Sequence, residues 1–454
     1  GDIVSGLKAN ATVSFDSYET FMAQQTNNVN SYNYNYTSKD VVDPSEYTLT
    51  QYSVYSALTN PSTTPREYYY NVNTRFGLSY DRRFDKHALN AQAFVRTYQN
   101  LTHGSQSSYR FLSYNAQANY IYDNKYIFSG NISRMGHDNY APGQQFGTFP
   151  GASIGWVASE EGWLKHQNIN LLKLRASYGR SGQSNTGVRR YPYQGTFDSG
   201  TGYNFGTSQS FISGITESAA GNYNSKWEIS DMANIGLDFD FFNRKLYGSF
   251  DAFKEWRSNI LVTRATVPIL LGVTAPQDSY GKAESRGYEL MLGHQNKVND
   301  FNYNVEFMLS MNENKITEMD ELDPNVEWQR KTGRPIFDYT HVAELYEGAF
   351  TNSIGGWNMF HFVEWASDTD KIATSHQDAI DNPDKYPYHT ASGTGQLLGT
   401  AVFKDLDGDR KIDANDMIPS GYTIIPQLIP SVNLGFSWKG FDARMILTGY
   451  LNRS

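Results

Sequence analysis

Several features are missing from this 454-residue sequence, and each absence narrows the class of protein. There is no cysteine, which fits a protein that is exposed to an oxidising envelope and avoids accidental disulfides. The formal net charge is -9 and no lysine and arginine block could neutralise phosphates, so we expect no nucleic-acid partner. The longest apolar run, 267–273, is far shorter than the roughly 18 residues of a membrane-spanning helix. If this is a membrane protein, it must cross the membrane as a barrel.

Aromatic residues and a two-residue repeat are what the sequence has in abundance. Phe, Trp and Tyr make up 15% of the residues, although the mean hydropathy is only -0.57. Outer-membrane barrels use such rings as girdles at the membrane surfaces. Apolar and polar residues alternate in segments of about ten residues, which is typical of transmembrane strands. Clear apolar series are Leu7, Ala9, Ala11, Val13 and Phe15; Tyr114, Ala116, Ala118, Tyr120 and Tyr122; and Ile235, Leu237, Phe239 and Phe241.

Short turns and long connections separate about thirteen such segments. The connections are short at 82–86, 123–125, 242–245 and 439–442, and long and polar at about 17–70, 180–228 and 312–429. Outer-membrane barrels have short turns on the periplasmic side and long loops outside. The sequence therefore predicts an all-β fold, a transmembrane antiparallel β-barrel with long extracellular loops, as one domain over residues 1–454. A soluble β-sandwich or propeller, whose strands also alternate, is the alternative.

A set of ordered motifs resembles the SusC-type TonB-dependent transporters. The motifs are YNAQANYIYDNKYIFSGNISR at 114–134, FPGASIGW at 149–156, SEE at 159–161, LKLRASYG at 172–179, GLDF at 236–239, GYEL at 287–290 and FKDLDGD at 403–409. The resemblance implies part of a 22-stranded barrel in the outer membrane of a Gram-negative bacterium. It also implies active import of oligosaccharides or peptides, together with a SusD-like surface lipoprotein and with energy from the TonB complex.

The same resemblance implies segments that this chain lacks. Family members carry an N-terminal plug domain and a TonB-contacting segment before it, and neither is present here. Gly1 opens no charged and then apolar signal segment, and Ser454 precedes the terminal strand that family members need for assembly. We therefore expect the chain to be the middle and C-terminal portion of the barrel.

One acidic stretch has ligand chemistry of its own. Six residues fall at positions 1, 3, 5, 7, 9 and 12 of an EF-hand-like loop: Asp405, Asp407, Asp409, Lys411, Asp413 and Asp416. Ca²⁺ takes several oxygens at this spacing, and position 7 supplies a backbone carbonyl. Arg410 stands where such loops usually have Gly, and Asp416 is shorter than the usual Glu. We predict a Ca²⁺ site that rigidifies an outer loop, with a solvated acidic turn as the alternative.

Two catalytic motifs occur in the sequence, but neither has the structural context that its chemistry needs. Gly151 to Gly155 matches the nucleophile elbow G-x-S-x-G, but Ser153 lies inside an alternating strand, whereas the elbow needs a strand, a sharp turn and a helix. Asp238 and Asp240 share one strand face, as the carboxylates of glycoside hydrolases do, but charges facing a water-filled lumen are expected in any barrel. We predict that the protein is not an enzyme.

Substrate contacts are expected from the long loops and from strand residues that face the lumen. Five aromatic residues in the 312–429 region could stack on sugar rings or peptide side chains, or could pack the loop against itself: Trp328, Tyr339, Trp357, Phe360 and Trp365. Two functional alternatives to import stay open. One is a soluble glycan-binding or glycan-hydrolysing β-sandwich, and the other is a passive porin or surface adhesin.

Overall fold

A computed structural model describes most of the chain. The described residues are 5–24, 31–36, 47–53, 62–102, 108–165, 168–184, 190–207, 209–268, 270, 272–336, 359–360, 362–365, 381–382, 401–403, 406–408, 415, 417–418 and 425–452. No helix in these ranges is long and apolar enough to cross a membrane.

Strands dominate the described residues. They are β1 Leu7–Gln24, β2 Ser31–Tyr36, β3 Tyr47–Ser53, β4 Ser62–Phe84, β5 His87–Thr102, β6 Tyr109–Tyr122, β7 Tyr126–His137, β8 Phe146–Val157, β9 Ile169–Gln183, β10 Thr196–Phe205, β11 Ser210–Ala219, β12 Glu228–Phe241, β13 Leu246–Thr263, β14 Gln277–Val298, β15 Phe301–Glu318, β16 Met359–Phe360, β17 Phe362–Trp365, β18 Ala401–Phe403, β19 Met417–Ile418, β20 Leu428–Trp438 and β21 Phe441–Thr448. Single 3-10 turns occur at Ala158–Glu160 and Glu327–Gln329.

Thirteen strands form one large sheet within the described ranges. Its order is β1-β4-β5-β6-β7-β8-β9-β12-β13-β14-β15-β20-β21, so each strand neighbours the next sheet strand along the chain. The remaining strands pair in twos, β2 with β3, β10 with β11, β16 with β19 and β17 with β18. This meander confirms the all-β prediction and the expected number of strands.

The strands extend further into the predicted connections than the alternation indicated. β4 ends at Phe84 and β5 begins at His87, so the turn is tighter than the predicted 82–86. β1 continues to Gln24, and β15 continues to Glu318. The predicted 180–228 connection contains a hairpin of its own, formed by β10 and β11. That the three long connections lie outside the cell stays a prediction.

The chain divides into two compact units, and the larger one carries most of the sheet. It comprises Gly1–Lys8, Ser79–Ala93 and Asn115–Ser454, while the smaller unit comprises Ala9–Leu78 and Phe94–Tyr114. In the smaller unit, Nε of Arg96 donates to Oδ1 of Asn73 at 2.9 Å, and the Arg96 guanidinium lies 5.4 Å from the centre of the Phe111 ring. The ring of Tyr98 stacks on the same Phe111 at 5.2 Å.

The registers of the larger unit separate its side chains into two faces, because directly paired residues point to the same side of a sheet. One rung across β12 to β15 is Leu237, Phe250, Leu290 and Leu309, and we call its side the apolar face. The adjacent rung is Gly236, Asp251, Glu289 and Ser310, and we call its side the polar face. Side chains of the apolar face are largely uncovered, with Ile235 67% and Ile154 58% exposed.

Burial is concentrated at the loop end of the sheet, in what we call the loop-end core. Its members are Tyr140, Phe149 and Trp227, and Met135 and Ile229 pack against them. The rings of Tyr140 and Trp227 stack with centres 5.1 Å apart, and Phe149 meets Trp227 edge-on at 5.4 Å. The core joins the β7–β8 connection to the residues just before β12, and so fixes the bases of two connections.

Glycines on the polar face make room for aromatic rings from the next strand. A Cβ at Gly293 would lie 2.3 Å from the Tyr247 ring, and one at Gly287 would lie 2.5 Å from the Phe253 ring. Each ring from β13 therefore lies flat across β14. Such aromatic cover of a strand glycine restores the packing that the missing side chain would otherwise cost.

Candidate functional site

The polar face holds a charged rung that ties three strands together. Arg175 on β9 and Asp251 on β13 are opposite the same residue of β12, Gly236. The Arg175 guanidinium lies across Gly236, where a Cβ would come within 2.4 Å of Cζ, and donates two hydrogen bonds of 2.6 Å to Asp251. Its Nε also donates to Oδ2 of Asp238 at 3.1 Å. A bidentate pair of this kind has a fixed geometry, so it stiffens the wall.

A second network crosses the polar face near its turn end. The Tyr247 hydroxyl passes over Gly293 and donates to Oε1 of Glu306 at 2.7 Å. Nδ2 of Asn433 donates to the other oxygen of Glu306 at 2.8 Å, and Nε of Arg444 donates to Oδ1 of Asn433 at 3.1 Å. The chain of bonds runs from β13 to β21 without a gap. In both networks the polar groups are paired with one another, as in a wall that meets water.

A recess of about 780 Å³ lies beside this network. The short turn after β12 and the turn-end residues of β14, β15, β20 and β21 enclose it. Four side-chain amides contribute to its lining, from Asn243, Gln295, Asn302 and Asn304. Three cations, Lys245, Lys297 and Arg444, face one carboxylate, Asp442. The recess therefore combines amide donors and acceptors with charges of both signs.

The apolar face is bounded at its loop end by a band of charges. Glu284 on β14 forms two salt bridges. Its Oε2 lies 3.1 Å from Nζ of Lys254 on β13, and its Oε1 lies 2.7 Å from Nζ of Lys315 on β15. Arg286 pairs with Glu313 on the same face. At the opposite end, Tyr126 and Trp156 are a directly paired couple. An apolar belt between charges and aromatic rings is the pattern of a wall that faces lipid.

At the short-turn end of the sheet, the carboxylate of Glu161, which lies outside the strands, binds side chains of β7 and β8. Glu161 accepts a hydrogen bond from the Tyr126 hydroxyl at 2.7 Å and one from the Trp156 indole at 3.2 Å, and Lys125 lies 3.6 Å away. The bond from Tyr126, followed by that from Trp156, lowers the pKa of Glu161 below its ordinary value. The stabilisation from this lowered pKa is present above the ordinary pKa and is lost as the pH falls through the lowered one.

Most of the predicted Ca²⁺ ligands lie outside the described residues: Asp405, Asp409, Lys411, Asp413 and Asp416. Asp407 is described and exposed. The backbone on either side of the acidic loop is informative, because β18 ends at Phe403 opposite Phe362 and β19 begins at Met417 opposite Phe360. Both ends of the loop therefore meet the same short stretch of chain. Within the described ranges, no three His, Asp or Glu residues converge as a metal site.

The five predicted aromatic contacts are only partly described. Tyr339 and Trp357 lie outside the described residues, and for Phe360 and Trp365 only the backbone is described, in β16 and β17. Nε1 of Trp328 donates to the carbonyl oxygen of Asn415 in the acidic loop at 2.9 Å. This contact favours the packing interpretation for Trp328.

A carboxylate clamp holds the segment that carries Trp328. Glu321 accepts hydrogen bonds from the amides of Lys331 at 2.9 Å and Thr332 at 3.0 Å, and from the Thr332 hydroxyl at 2.6 Å. Burial raises the pKa of Glu321, but the bonds from Thr332 and Lys331 outweigh it and the pKa is lowered overall. Trp328 is thus held between this clamp and the acidic loop.

Sequence reasoning missed the cross-strand partners on the polar face. Arg175, Asp251 and Glu306 each stand at an expected lumen-facing position, but their pairing depends on register. Asp238, considered as one of two hydrolase carboxylates, is bound to Arg175. Ser153 is directly paired with Ser129 and Ser177 in the middle of β8, so the strand, turn and helix of a nucleophile elbow are not formed there.

One exposed apolar face, one polar face and short turns between long strands define the class of protein, an outer-membrane β-barrel. The family model described as "TonB dependent receptor-like, beta-barrel" matches residues 5–438. The chain belongs to this family, whose members are outer-membrane proteins of Gram-negative bacteria. The soluble β-sandwich alternative is therefore wrong, and the chain covers the barrel portion of such a receptor.

Relatives of known name agree with this assignment. The chain is 28% identical over 395 residues to TonB-dependent receptor P3 of Formosa agariphila, which covers 83% of the chain and 36% of the relative. It is 28% identical over 291 residues to TonB-dependent receptor SusC of Bacteroides thetaiotaomicron, which covers 62% of the chain and 28% of SusC. The chain thus spans about a third of these proteins or less. The similarity to SusC agrees with the resemblance of the ordered motifs.

A solved structure shares the fold. The structure of the RagAB peptide importer in the "closed-closed" state matches with a TM-score of 0.63 and 16% identity, over 99% of this chain and 46% of that chain. A second structure, of the RagAB peptide transporter, matches with a TM-score of 0.64 and 15% identity, again over 99% of this chain and 46% of that one.

Proposed function

We propose that this chain is part of the wall of an active importer that takes up oligosaccharides or peptides, works with a SusD-like surface lipoprotein and draws energy through TonB. The observation that carries the proposal is the continuous polar face, whose networks from β9 to β13 and from β13 to β21 suit the wall of a wet passage. Similarity to SusC and to the RagAB peptide importer supports it. In this proposal the protein acts by transport and not by catalysis. Of the motif residues considered for catalysis, Ser153 lies in the middle of β8 and Asp238 is bound to Arg175.

Energised uptake by the full-length protein tests this function. Cells that produce the importer and its lipoprotein partner are incubated with a mixture of oligosaccharides and a mixture of short peptides, and depletion from the medium is followed by mass spectrometry. We expect depletion of one mixture, and its loss when either TonB or the lipoprotein is deleted. Depletion that continues without TonB would instead identify a passive porin.

We also propose that Asp405, Asp407, Asp409, Asp413 and Asp416, with the carbonyl of Lys411, bind Ca²⁺. An EF-hand-like loop uses positions 1 and 12 on the same ion, so its two ends must approach each other. Pairing of β18 and β19 with residues 359–365 supports such an approach. The ion would hold the loop in shape next to Trp328, with no catalytic role.

Terbium luminescence provides the test of the cation site. Tb³⁺ replaces Ca²⁺ in oxygen sites, and Trp328, which contacts Asn415 inside the loop, can transfer excitation to it. We expect Trp-excited luminescence that Ca²⁺ competes away, a loss of about tenfold or more in affinity for D407N/D409N, and weak emission with retained affinity for W328F. Tb³⁺ binding that D407N/D409N leaves unchanged would identify a solvated turn.

A further inference from the structure

A buried histidine lies at the loop end of the larger unit, where β7 runs into its connection to β8. His137 is the last residue of β7 and is 4% exposed. Its Nδ1 accepts a hydrogen bond of 2.9 Å from the backbone amide of Asn139, so the ring carries no proton on Nδ1. The carboxylate of Asp138 lies 3.4 Å from the same nitrogen. One ring nitrogen thus faces a donor that needs it neutral and a carboxylate that would bind it when protonated.

The two residues that face this nitrogen also hold a second connection. Arg190, which precedes β10, donates to the two oxygens of Asp138 at 3.0 and 3.1 Å. The side-chain oxygen of Asn139 accepts a hydrogen bond of 2.8 Å from the amide of Tyr191. Asn139 is 3% exposed, so its bond to Tyr191 is shielded from water. We call these bonds among His137, Asp138, Asn139, Arg190 and Tyr191 the latch, because they join the β7–β8 connection to the segment before β10.

The latch holds Tyr191 in a strained backbone conformation. Its φ is +52°, in the left-handed region that residues with a Cβ occupy only at a cost in free energy. The Arg190 guanidinium lies 4.5 Å from the centre of the Tyr191 ring and donates to its hydroxyl at 2.9 Å. The Tyr193 ring meets the rings of Tyr191 and Tyr223 edge-on, at 6.0 and 5.7 Å, before β10 and after β11. Release of Tyr191 would therefore free the base of the β10–β11 hairpin.

The surroundings of His137 favour its neutral form. Burial lowers the pKa of His137 below its ordinary value, Asp138 opposes this effect, and Arg190 adds to it. The Tyr140 phenol lies edge-on to the ring at 6.5 Å, and the His137 amide donates to the carbonyl of Gln145. The open latch takes up a proton at the ordinary pKa of histidine, whereas the closed latch resists it. The closed latch is therefore at full strength above the ordinary pKa and weakens as the pH falls below it.

We propose that His137 is a pH switch that opens the latch. A proton from solvent on Nδ1 removes the bond from the Asn139 amide and gives the ring a donor for Asp138, which is then shared with Arg190. Both ties to the segment before β10 are weakened, and Tyr191 can leave its left-handed conformation. Acidification thus releases the base of the β10–β11 hairpin while the large sheet stays intact. The switch goes beyond the proposed function, because it does not depend on which cargo is carried.

Amide hydrogen exchange of the full-length protein in lipid vesicles tests the switch. Exchange is read by mass spectrometry at about pH 7.5 and about pH 5.5 and divided by the intrinsic rate at each pH. We expect the amides of Asn139 and Tyr191 to exchange about tenfold faster at the lower pH, because one proton shifts the opening equilibrium about tenfold per pH unit. The amides of Lys331 and Thr332, which bind the Glu321 carboxylate, should not respond in this range.

The variant H137N separates the hydrogen bond from the charge. Its side-chain oxygen takes the place of Nδ1 and can accept from the Asn139 amide, but it cannot be protonated in this range. The faster exchange at low pH should disappear in H137N. It should persist in the matched control H294N, because His294 lies at the turn end and contacts the Tyr303 hydroxyl. Equal exchange at the two pH values, or the same pH response in H137N as in the original protein, would overturn the inference.

A pH series on the original protein gives the answer even where H137N does not fold. Exchange at Asn139 and Tyr191 that begins to rise between about pH 7 and about pH 6 supports the histidine switch. A rise that begins only below about pH 4.5 would assign the opening to protonation of Asp138, and the inference would be wrong.

Discussion

Replacing Trp227 with alanine is expected to lower the free energy of unfolding by about 3–5 kcal/mol. Trp227 is 5% exposed and lies between Tyr140 and Phe149. Its indole Nε1 also donates to the carbonyl of Gln145 at 3.1 Å, so its loss leaves a cavity and removes one of two hydrogen bonds to that carbonyl, which keeps the bond from the His137 amide. Few large apolar side chains in the described ranges are buried, so few other contacts can compensate for the loss of Trp227.

Trp163 supplies the matched control for that experiment. It is 75% exposed, and its replacement by alanine should change the free energy of unfolding by about 0.5 kcal/mol or less. Both variants are made in the full-length protein and unfolded with urea in lipid vesicles. A similar effect at the two sites would mean that the loop-end core does not fasten the connections before β8 and β12.

Replacing Ile235 with arginine is expected to destabilise the protein in membranes by about 2–4 kcal/mol. Ile235 is 67% exposed on the apolar face, two residues along β12 from Leu237 and its partners Phe250 and Leu290. An arginine there must leave its charge in hydrocarbon or distort the bilayer around it. Folding yield into vesicles should fall accordingly.

The same substitution on the polar face separates lipid contact from a general intolerance of arginine. Glu289 is exposed and directly paired with Asp251. It lies next to Tyr288, which shares a rung with Ile235, so the two positions are at nearly the same height in the wall. Arginine at 289 would gain a carboxylate neighbour, and we expect a change of about 0.5 kcal/mol or less. Equal losses at 235 and 289 would contradict the division into an apolar and a polar face.

The two faces were predictable from sequence because alternation is a local property. Every second residue of a strand points the same way, so Leu7 to Phe15 or Ile235 to Phe241 reveal a face without knowledge of any partner. The number of strands followed from the same repeat. The extra length of β1 and β15 was missed because the apolar repeat stops before their ends. In β1 the apolar residues Tyr18 and Met22 fall out of step with the series from Leu7 to Phe15, and the end of β15 is mostly polar.

Contacts between distant residues could not be predicted in this way. The Arg175 rung requires the register of β9 against β12 and of β12 against β13, and a slip of one residue would turn Arg175 towards the other face. The loop-end core joins Tyr140 to Trp227 across more than eighty residues, and the recess gathers side chains from five elements. The acidic loop was found from spacing alone, and its Ca²⁺ stays a prediction.

The central claim is that one face of this sheet meets lipid and the other meets the passage. The absence of cysteine from these 454 residues makes a direct measurement possible: single cysteines at 288 to 292 of the full-length protein, labelled with a fluorophore in vesicles of brominated lipid. We predict strong quenching at Tyr288, Leu290 and Leu292 and little at Glu289 and Met291. Uniform quenching along β14, or quenching at 289 and 291 alone, would contradict the account.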